Sequence, residues 1–249
     1  MYLFFFLVQL VFAFPPNLQQ EFYQRQQGKK GTVLLVISPG WEKFQYEELL
    51  EKLWKSGFSI WTLEFTLPNQ NIQKMQGLIQ ESLQMLPKKT AIWAHGSAGT
   101  IVAHGLEKNK ITPAAVVLTG TPLVFRCSKA FRTYLNMESS IANSTELLFG
   151  PFRPQPVATT WTKNLQSWCA RQKQIDVSQV ATPMWFASSG MDYFAPPEQT
   201  RPMIGDKNFT RISPLSFDFR EPNHHQLIRH ERMMRSGIKW LRQTLRESE

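Results

Sequence analysis

Three residues, far apart in the sequence, could together perform nucleophilic catalysis. They are Ser97, Asp192 and His224. In such a triad the histidine takes the proton of the serine hydroxyl as the serine attacks an acyl carbonyl, and the acid stabilises the imidazolium. The order serine, acid, histidine is one of the orders in which triads occur. The sequence therefore suggests hydrolysis of a carboxylic ester or thioester through an acyl-enzyme.

The nucleophile is predicted from the segment Thr90–Ala103, TAIWAHGSAGTIVA, in which a strand runs directly into a helix. A serine in a sharp strand-to-helix turn exposes its hydroxyl at the end of a sheet, and small neighbours allow the turn to form. Because the next helix starts at the turn, the backbone N–H of Ala98 is expected to hold the oxyanion of the reaction.

This turn can be aligned with the usual pattern G-x-S-x-G in two ways, which we call registers. Both stay open, because the pattern has glycine where this chain has His95. In the first register Ser97 is the nucleophile, and Gly99 is the small residue two positions later. In the second register Ala94-His95-Gly96 matches the common pattern G-H-S, so that Gly96 occupies the nucleophile position. The second register predicts a catalytically silent protein that binds instead of cleaving.

The acid and the base are predicted from their positions. Asp192 follows a predicted strand within SGMDYFAP, although it could instead cap a helix starting near Pro197. His224 lies between the last predicted strand and the last helix, whereas His104, on the helix behind the turn, is expected to pack. The other candidates are Asp176 and Asp218 as acids and His225 as base. No cluster of histidine, cysteine and acidic residues has metal-ligand spacing, so we expect neither a metal ion nor an organic cofactor.

The segment Thr90–Ala103 is similar to the nucleophile turn of the α/β-hydrolases, most of all to that of the carboxylesterases that cleave the pimeloyl-[acyl-carrier protein] methyl ester. That family's turn reads AIWLGWSLGG, which Ala91-Ile92-Trp93 and Ser97-Ala98-Gly99 match without a gap. Gly40-Trp41 resembles the family's HGW, with Pro39 in place of its histidine. The resemblance extends over most of the chain from residue 32 onward and favours the register with Ser97 as nucleophile.

The resemblance implies further roles and a substrate class. The backbone N–H of Trp41 would be a second oxyanion donor beside that of Ala98. A second histidine six residues after the catalytic one, here His230 after His224, also matches the family. The implied substrate is a small-molecule ester or an ester carried on an acyl-carrier protein.

Alternating strands and helices are expected to position these residues. Apolar runs of strand length lie at 32–37, 58–63, 90–94, 114–119 and 183–187, with a weaker one at 216–219. Amphipathic helices are predicted at 46–56, 72–86, 100–106 and 229–245. Parallel neighbours need crossovers of this kind. The pattern predicts an α/β class with a mostly parallel sheet and helices on both faces, which the resemblance narrows to an α/β-hydrolase fold.

The alternation stops between residues 125 and 180, which predicts a helical cap inserted between core segments 32–124 and 181–249. Its apolar residues suggest an acyl pocket, and its cations could attract an acidic carrier or a carboxylate; both sets could equally be ordinary packing and solvated surface. The apolar residues are Phe125, Leu147, Leu148, Phe149, Phe152 and Trp161, and the cations are Arg126, Lys129, Arg132 and Arg153.

Composition limits the function classes. The chain has 249 residues, of which 42% are hydrophobic and 19% charged, so it is long and apolar enough for one compact domain with an insertion. Its 28 Lys and Arg against 19 Asp and Glu give a net charge of +9. Because these cations are scattered, they indicate a solvated basic surface or a basic mouth that attracts anions, and no nucleic-acid partner is expected.

The N-terminal segment and the cysteines give indications of the cellular compartment in which the protein works. Residues 1–14 are apolar except for Gln9, and a polar lead at 15–31 follows. They suggest a signal peptide or short membrane anchor, with a mis-assigned start or a core strand as alternatives. If residues 1–14 act in this way, the protein would be periplasmic, secreted or membrane-anchored; if they do not, it would be cytoplasmic.

The two cysteines, Cys127 and Cys169, could form a disulfide or be two free buried thiols. Export would exclude a cytoplasmic acyl-carrier substrate.

Overall fold

The computed structural model describes residues 18–21, 30–39, 41, 43–65, 71–125, 167–192, 195–212 and 224–247. For residues 18–21, 224–225 and 247 only the backbone is described. Within these ranges no helix is both long and apolar enough to cross a membrane. The apolar segment 1–14 and most of the predicted cap lie outside the described residues.

The described strands form one seven-stranded sheet in the order β1-β3-β2-β4-β5-β6-β7. β1 is antiparallel to β3, and every other neighbouring pair is parallel. β2, β4, β5 and β6 are buried along their whole length, as continuous apolar runs predict for strands covered on both faces. The strands are β1 (Leu18–Glu21), β2 (Thr32–Val36), β3 (Ser59–Leu63), β4 (Thr90–His95), β5 (Ala115–Thr119), β6 (Met184–Ser188) and β7 (Asn208–Arg211).

Helices cover both faces of the sheet, which confirms the predicted fold class. A short 3-10 helix (Lys43–Tyr46) leads into α1 (Glu47–Lys55), and the others are α2 (Ile72–Met85), α3 (Gly96–Glu107), α4 (Pro197–Ile204), α5 (His224–Leu227) and α6 (Glu231–Glu247). The apolar sides of α2, α3 and α4 pack on one face of the sheet. Those of α1 and α6 pack on the other face. Gly57, with φ of +89°, comes directly after the C-cap residue of α1, a position where glycine commonly ends a helix.

Three elements differ from the predicted ones. β1 lies in the predicted polar lead, and β7 lies at 208–211, whereas the predicted strand at 216–219 lies outside the described residues. Both observed strands are at edges of the sheet, where backbone pairing suffices and no apolar run is needed. The third difference is that α3 begins at Gly96, not at Thr100, so the strand enters the helix without a connecting loop.

The two ends of the predicted cap run side by side where they leave the sheet. The Ile175 N–H donates to the Leu123 carbonyl at 2.8 Å, and the Phe125 N–H donates to the Lys173 carbonyl at 2.9 Å. Cys169, close to this neck, is disulfide-bonded, and the only other cysteine in the chain is Cys127. Backbone hydrogen bonds therefore hold the two ends of the predicted cap together at this neck.

A close contact between α3 and the end of β5 makes Gly99 sensitive to substitution. A β-carbon at Gly99 would overlap the hydroxyl oxygen of Thr121 and lie 2.9 Å from its methyl carbon. We expect Gly99→Ala to lower the free energy of unfolding by about 1–3 kcal/mol. The matched control is Gly77→Ala in α2, where nothing lies within 4 Å of the added carbon. It should raise that free energy by up to about 1 kcal/mol. Urea unfolding measures both changes, and effects of equal sign would contradict this packing.

Candidate functional site

The turn between β4 and α3 is centred on Gly96. This residue has φ of +55°, in the left-handed region that favours glycine. Among the described residues other than glycine, only Asn109 and Gln172 have a positive φ, so Ser97 has an ordinary right-handed backbone. In a nucleophile turn the strained residue between strand and helix carries the attacking side chain. In this chain that position holds a residue without a side chain.

Ser97 lies one residue further on, within the first turn of α3. It is half-buried, while its neighbours Gly96 and Ala98 are buried. Its N–H belongs to the first helical turn, where backbone donors have no acceptor inside the helix. The positive end of the helix dipole lies here and favours a negative charge.

Ser38, just after β2, joins β2 to this turn. Its hydroxyl donates to the His95 carbonyl at 2.5 Å and accepts a hydrogen bond from the Ala98 N–H at 3.2 Å. His95 is the N-cap of α3 and makes no capping bond with its own side chain. Ser38 therefore caps α3 from a neighbouring strand. The capping role of Ser38 has one signal in the sequence, which is the lack of a capping residue type at His95.

Both N–H groups that the sequence suggested as oxyanion donors already have acceptors within the protein. The Ala98 N–H donates to the Ser38 hydroxyl, and the Trp41 N–H donates to the Ser38 carbonyl at 2.9 Å. An oxyanion at either donor would have to displace a hydrogen bond of Ser38. The geometric requirement for an oxyanion hole is that its donors point at the reacting oxygen before the reaction starts.

Aromatic packing fills the space beside the turn. His95 is fully buried, with Nδ1 3.0 Å from the Thr119 hydroxyl, and its ring centroid lies 5.3 Å from that of Trp41. Trp41 also contacts Tyr46, at 5.8 Å between ring centroids. The Tyr46 hydroxyl accepts a hydrogen bond from the Ser38 N–H at 3.2 Å. Burial raises the pKa of Tyr46 to about 12, so this phenol is neutral at ordinary pH.

Asp192 is fully buried, four residues after the end of β6. One carboxylate oxygen, Oδ1, accepts a hydrogen bond from the Ala195 N–H at 3.0 Å. The N-cap residue of α4 is Pro196. β5 lies between β6 and β4, so the carboxyl ends of these two strands are about 10 Å apart, and Asp192 and Gly96 follow them at the same end of the sheet.

The predicted base, His224, lies in the segment that follows β7, the strand next to β6. His224 begins α5, after β7, and its side chain and that of His225 are outside the described residues. His230 is half-buried beside the start of α6. The structure thus brings Gly96, Ser97 and Asp192 to the carboxyl ends of β4 and β6, the two strands on either side of β5. The roles predicted for Ser97, Asp192 and His224 stay predictions.

Among the described residues, the candidate acid Asp176 and the histidine His104 lie away from the carboxyl ends of the strands. The Asp176 N–H donates to Glu107 Oε1 at 3.2 Å, at the end of α3 opposite to Gly96, about 16 Å along the helix. Asp218 lies outside the described residues. His104 packs between Gln76, at 2.9 Å from its Nδ1, and the Trp168 ring, and burial lowers its pKa.

No group of three or more histidine, cysteine or acidic side chains that could hold a metal ion is present in the described part of the chain. Around the turn, the hydroxyls of Ser38 and Thr119 are hydrogen-bonded within the protein, and the Ser97 N–H belongs to the first turn of α3. A backbone N–H at a helix start can bind an anion or a carbonyl oxygen.

Comparison with known proteins shows the fold. No protein-family model matches the sequence, and no curated protein matches it either. Among solved structures, a carboxylesterase of the thaumarchaeon Nitrososphaera gargenis has a TM-score of 0.64 at 10% identity, over 94% of this chain and 98% of that one. A monoacylglycerol lipase of Paleococcus ferrophilus has 0.58 at 14% identity, over 86% and 94%. A bromoperoxidase of Bacillus anthracis has 0.63 at 13% identity, over 86% and 92%.

These similarities establish that the chain has an α/β-hydrolase fold. The three structures are named for three different activities, and a fold shared at such low identity does not fix a reaction. The closer resemblance to pimeloyl-[acyl-carrier protein] methyl ester esterases remains a prediction.

The bridging role of Ser38 predicts the effect of removing its hydroxyl. Ser38→Ala deprives the buried Ala98 N–H of its acceptor and the His95 carbonyl of its donor. We expect the free energy of unfolding to fall by about 1–3 kcal/mol, measured by urea unfolding. The control is Ser82→Ala, because the Ser82 hydroxyl is also buried but bonds only to Leu78 in its own helix. A loss at Ser82 as large as that at Ser38 would contradict the bridging role.

Proposed function

We propose that this protein is a catalytically silent α/β-hydrolase-fold protein that binds a small acyl-bearing molecule without cleaving it. The observation that carries this proposal is the positive φ of Gly96 at the β4–α3 turn. The residue at that position in a serine hydrolase supplies the attacking oxygen. Glycine supplies none, so no acyl-enzyme can form there.

The hydrogen bonds around the turn support the same conclusion. Ser38 occupies both N–H groups, those of Trp41 and Ala98, that would otherwise stabilise an oxyanion. Removing one such donor from an enzyme costs about 2.7–4 kcal/mol of transition-state stabilisation. A site that only binds a ground-state ester or acid does not need those donors.

The proposed ligand class comes from the fold and the place of the site. The solved structures similar to this chain include a carboxylesterase and a monoacylglycerol lipase. In open α/β sheets ligands bind at the carboxyl ends of the strands, which is where Gly96 and Asp192 lie. The Ser97 N–H and the positive end of α3 could hold the carbonyl or carboxylate of such a molecule.

A second candidate is the serine hydrolase in which Ser97 is the nucleophile, His224 the base and Asp192 the acid. It is favoured by the complete burial of Asp192 after β6. In this case His224 would take the Ser97 proton, the backbone N–H groups of Trp41 and Ala98 would leave Ser38 to hold the oxyanion, and water would release the acyl group. A pimeloyl-type ester is the substrate that the sequence resemblance implies.

Labelling with a fluorophosphonate probe separates the two candidates. We expect the wild type and Ser97→Ala to stay unlabelled, and Gly96→Ser to gain labelling because it places a hydroxyl at the turn. Gly96→Ala is the matched control for the strain of a side chain at positive φ, about 1–2 kcal/mol. Labelling of Gly96→Ser should disappear when His224→Ala is added. p-Nitrophenyl butyrate should raise the melting temperature of the wild type without release of p-nitrophenol.

Two results would overturn the silent assignment. The first is labelling of the wild type that is lost in both Ser97→Ala and His224→Ala, which would establish the serine hydrolase. The second is a well-folded wild type whose melting temperature p-nitrophenyl butyrate does not raise, which would show that the site does not bind an acyl-bearing molecule.

We also infer that the protein is exported. The disulfide of Cys169 supports this, because disulfides persist in oxidising compartments, and the apolar segment 1–14 is of the kind that directs export. Expressed in a Gram-negative host, the full chain should appear in the periplasmic or membrane fraction with no thiol open to alkylation. A chain without residues 1–14 should stay in the cytoplasm with both thiols reactive. Cytoplasmic full-length chain with an intact N-terminus and free thiols would contradict export.

A further inference from the structure

A cleft lined by cations lies between α1 and α6, away from the turn at Gly96. It has a volume of about 320 Å³, and its lining includes Lys52, Lys55, Arg235, Lys239 and Arg242 around the apolar side chain of Ile238. α1 ends at Lys55, four residues before the start of β3. The cleft therefore extends toward the amino ends of the strands, whereas Gly96 lies at their carboxyl ends.

The sequence places these cations on facing sides of the two helices. Lys52 and Lys55 are three residues apart in α1, and Arg235, Lys239 and Arg242 follow one another at intervals of four and three in α6. Residues at such intervals share one face of a helix. The periodicity that buries the opposite, apolar face of α6 against the sheet thus aligns its cations along the cleft.

Carboxylates neutralise only part of this charge. Glu51 pairs with Lys55 at 2.6 Å, and Glu231 pairs with both Lys52, at 3.3 Å, and Arg235, at 2.7 Å. Five cations against two carboxylates leave three positive charges. Within the described ranges, neither Lys239 nor Arg242 forms an ion pair.

Arg242 also has a hydrogen-bond donor that the protein does not use. Its Nη2 donates to the Ser56 carbonyl at 2.9 Å, which holds the guanidinium across the gap between α6 and the end of α1. Its Nε is buried and has no hydrogen-bond acceptor in the described structure. A buried donor without an acceptor is unfavourable, and Arg242 also brings its positive charge to the lining of the cleft.

We propose that this cleft binds the phosphate group of an organic phosphate. Guanidinium groups bind phosphate through paired hydrogen bonds, and lysines add point charges that a dianion can use. Ile238 and the methylene stems of the lysines and arginines give the cleft an apolar floor, which suits the carbon skeleton of an organic phosphate better than a bare ion. The phosphate can belong to a small soluble molecule or to a lipid headgroup.

Titration calorimetry of the full chain with glycerol 3-phosphate tests this site, and flotation with phosphatidylglycerol vesicles tests the lipid source. The variant is Lys55→Gln/Lys239→Gln, which leaves the Arg242 bond to Ser56 intact. The matched control is Lys74→Gln/Lys88→Gln, which removes the same charge from exposed positions outside the cleft. We expect the cleft variant to bind glycerol 3-phosphate about tenfold more weakly and the control to bind like the wild type.

The two arms identify the source, and two results would overturn the site. Binding of glycerol 3-phosphate identifies a soluble phosphate, whereas binding only to vesicles, lost in the cleft variant and kept in the control, identifies a headgroup. No binding in either arm would overturn the proposal. An equal loss in the variant and the control would also overturn it, because it would show attraction to net charge alone.

Discussion

The chain passes from β4 into α3 within a single residue, and the candidate site depends on that constraint. A strand that enters a helix without a loop needs one residue of positive φ, which an L-amino acid adopts at a cost of about 1–2 kcal/mol and glycine adopts freely. The structure has Gly96 there. Serine hydrolases present their nucleophile at a position with this geometry. Glycine at position 96 relieves the backbone strain and, for the same reason, leaves the position without a hydroxyl.

The surroundings of the turn are consistent with a site that holds its shape without reacting. Ser38 joins β2 to the start of α3 and uses the backbone donors that an oxyanion would need. Gly99 allows α3 to approach Thr121 closely, and His95, Trp41 and Tyr46 pack beside them. The elements that would support catalysis in this fold here stabilise the turn itself. Asp192 is buried after β6, where the sequence predicts the acid of a triad, and this placement is the physical basis of the second candidate function.

Most of the core fold could be predicted from the sequence, because β2, β4, β5 and β6 are continuous apolar runs between amphipathic helices. The edge strands β1 and β7 could not, because pairing at an edge depends on backbone groups and leaves no apolar pattern. The sequence left two registers of the turn open, and the resemblance to one esterase family favoured the register with Ser97 as nucleophile. Only backbone geometry distinguishes residue 96 from residue 97, since a glycine followed by a serine satisfies the residue types of both registers. The bridging role of Ser38 connects residues 60 positions apart, beyond any local signal.

The most direct test of the account is a crystal structure of the wild-type protein that resolves the backbone from His95 to Ala98. We expect a positive φ near +55° at Gly96, a negative φ at Ser97 and a hydrogen bond from the Ala98 N–H to the Ser38 hydroxyl. A positive φ at Ser97, with its hydroxyl within hydrogen-bond distance of the His224 imidazole, would contradict the account and identify Ser97 as the nucleophile.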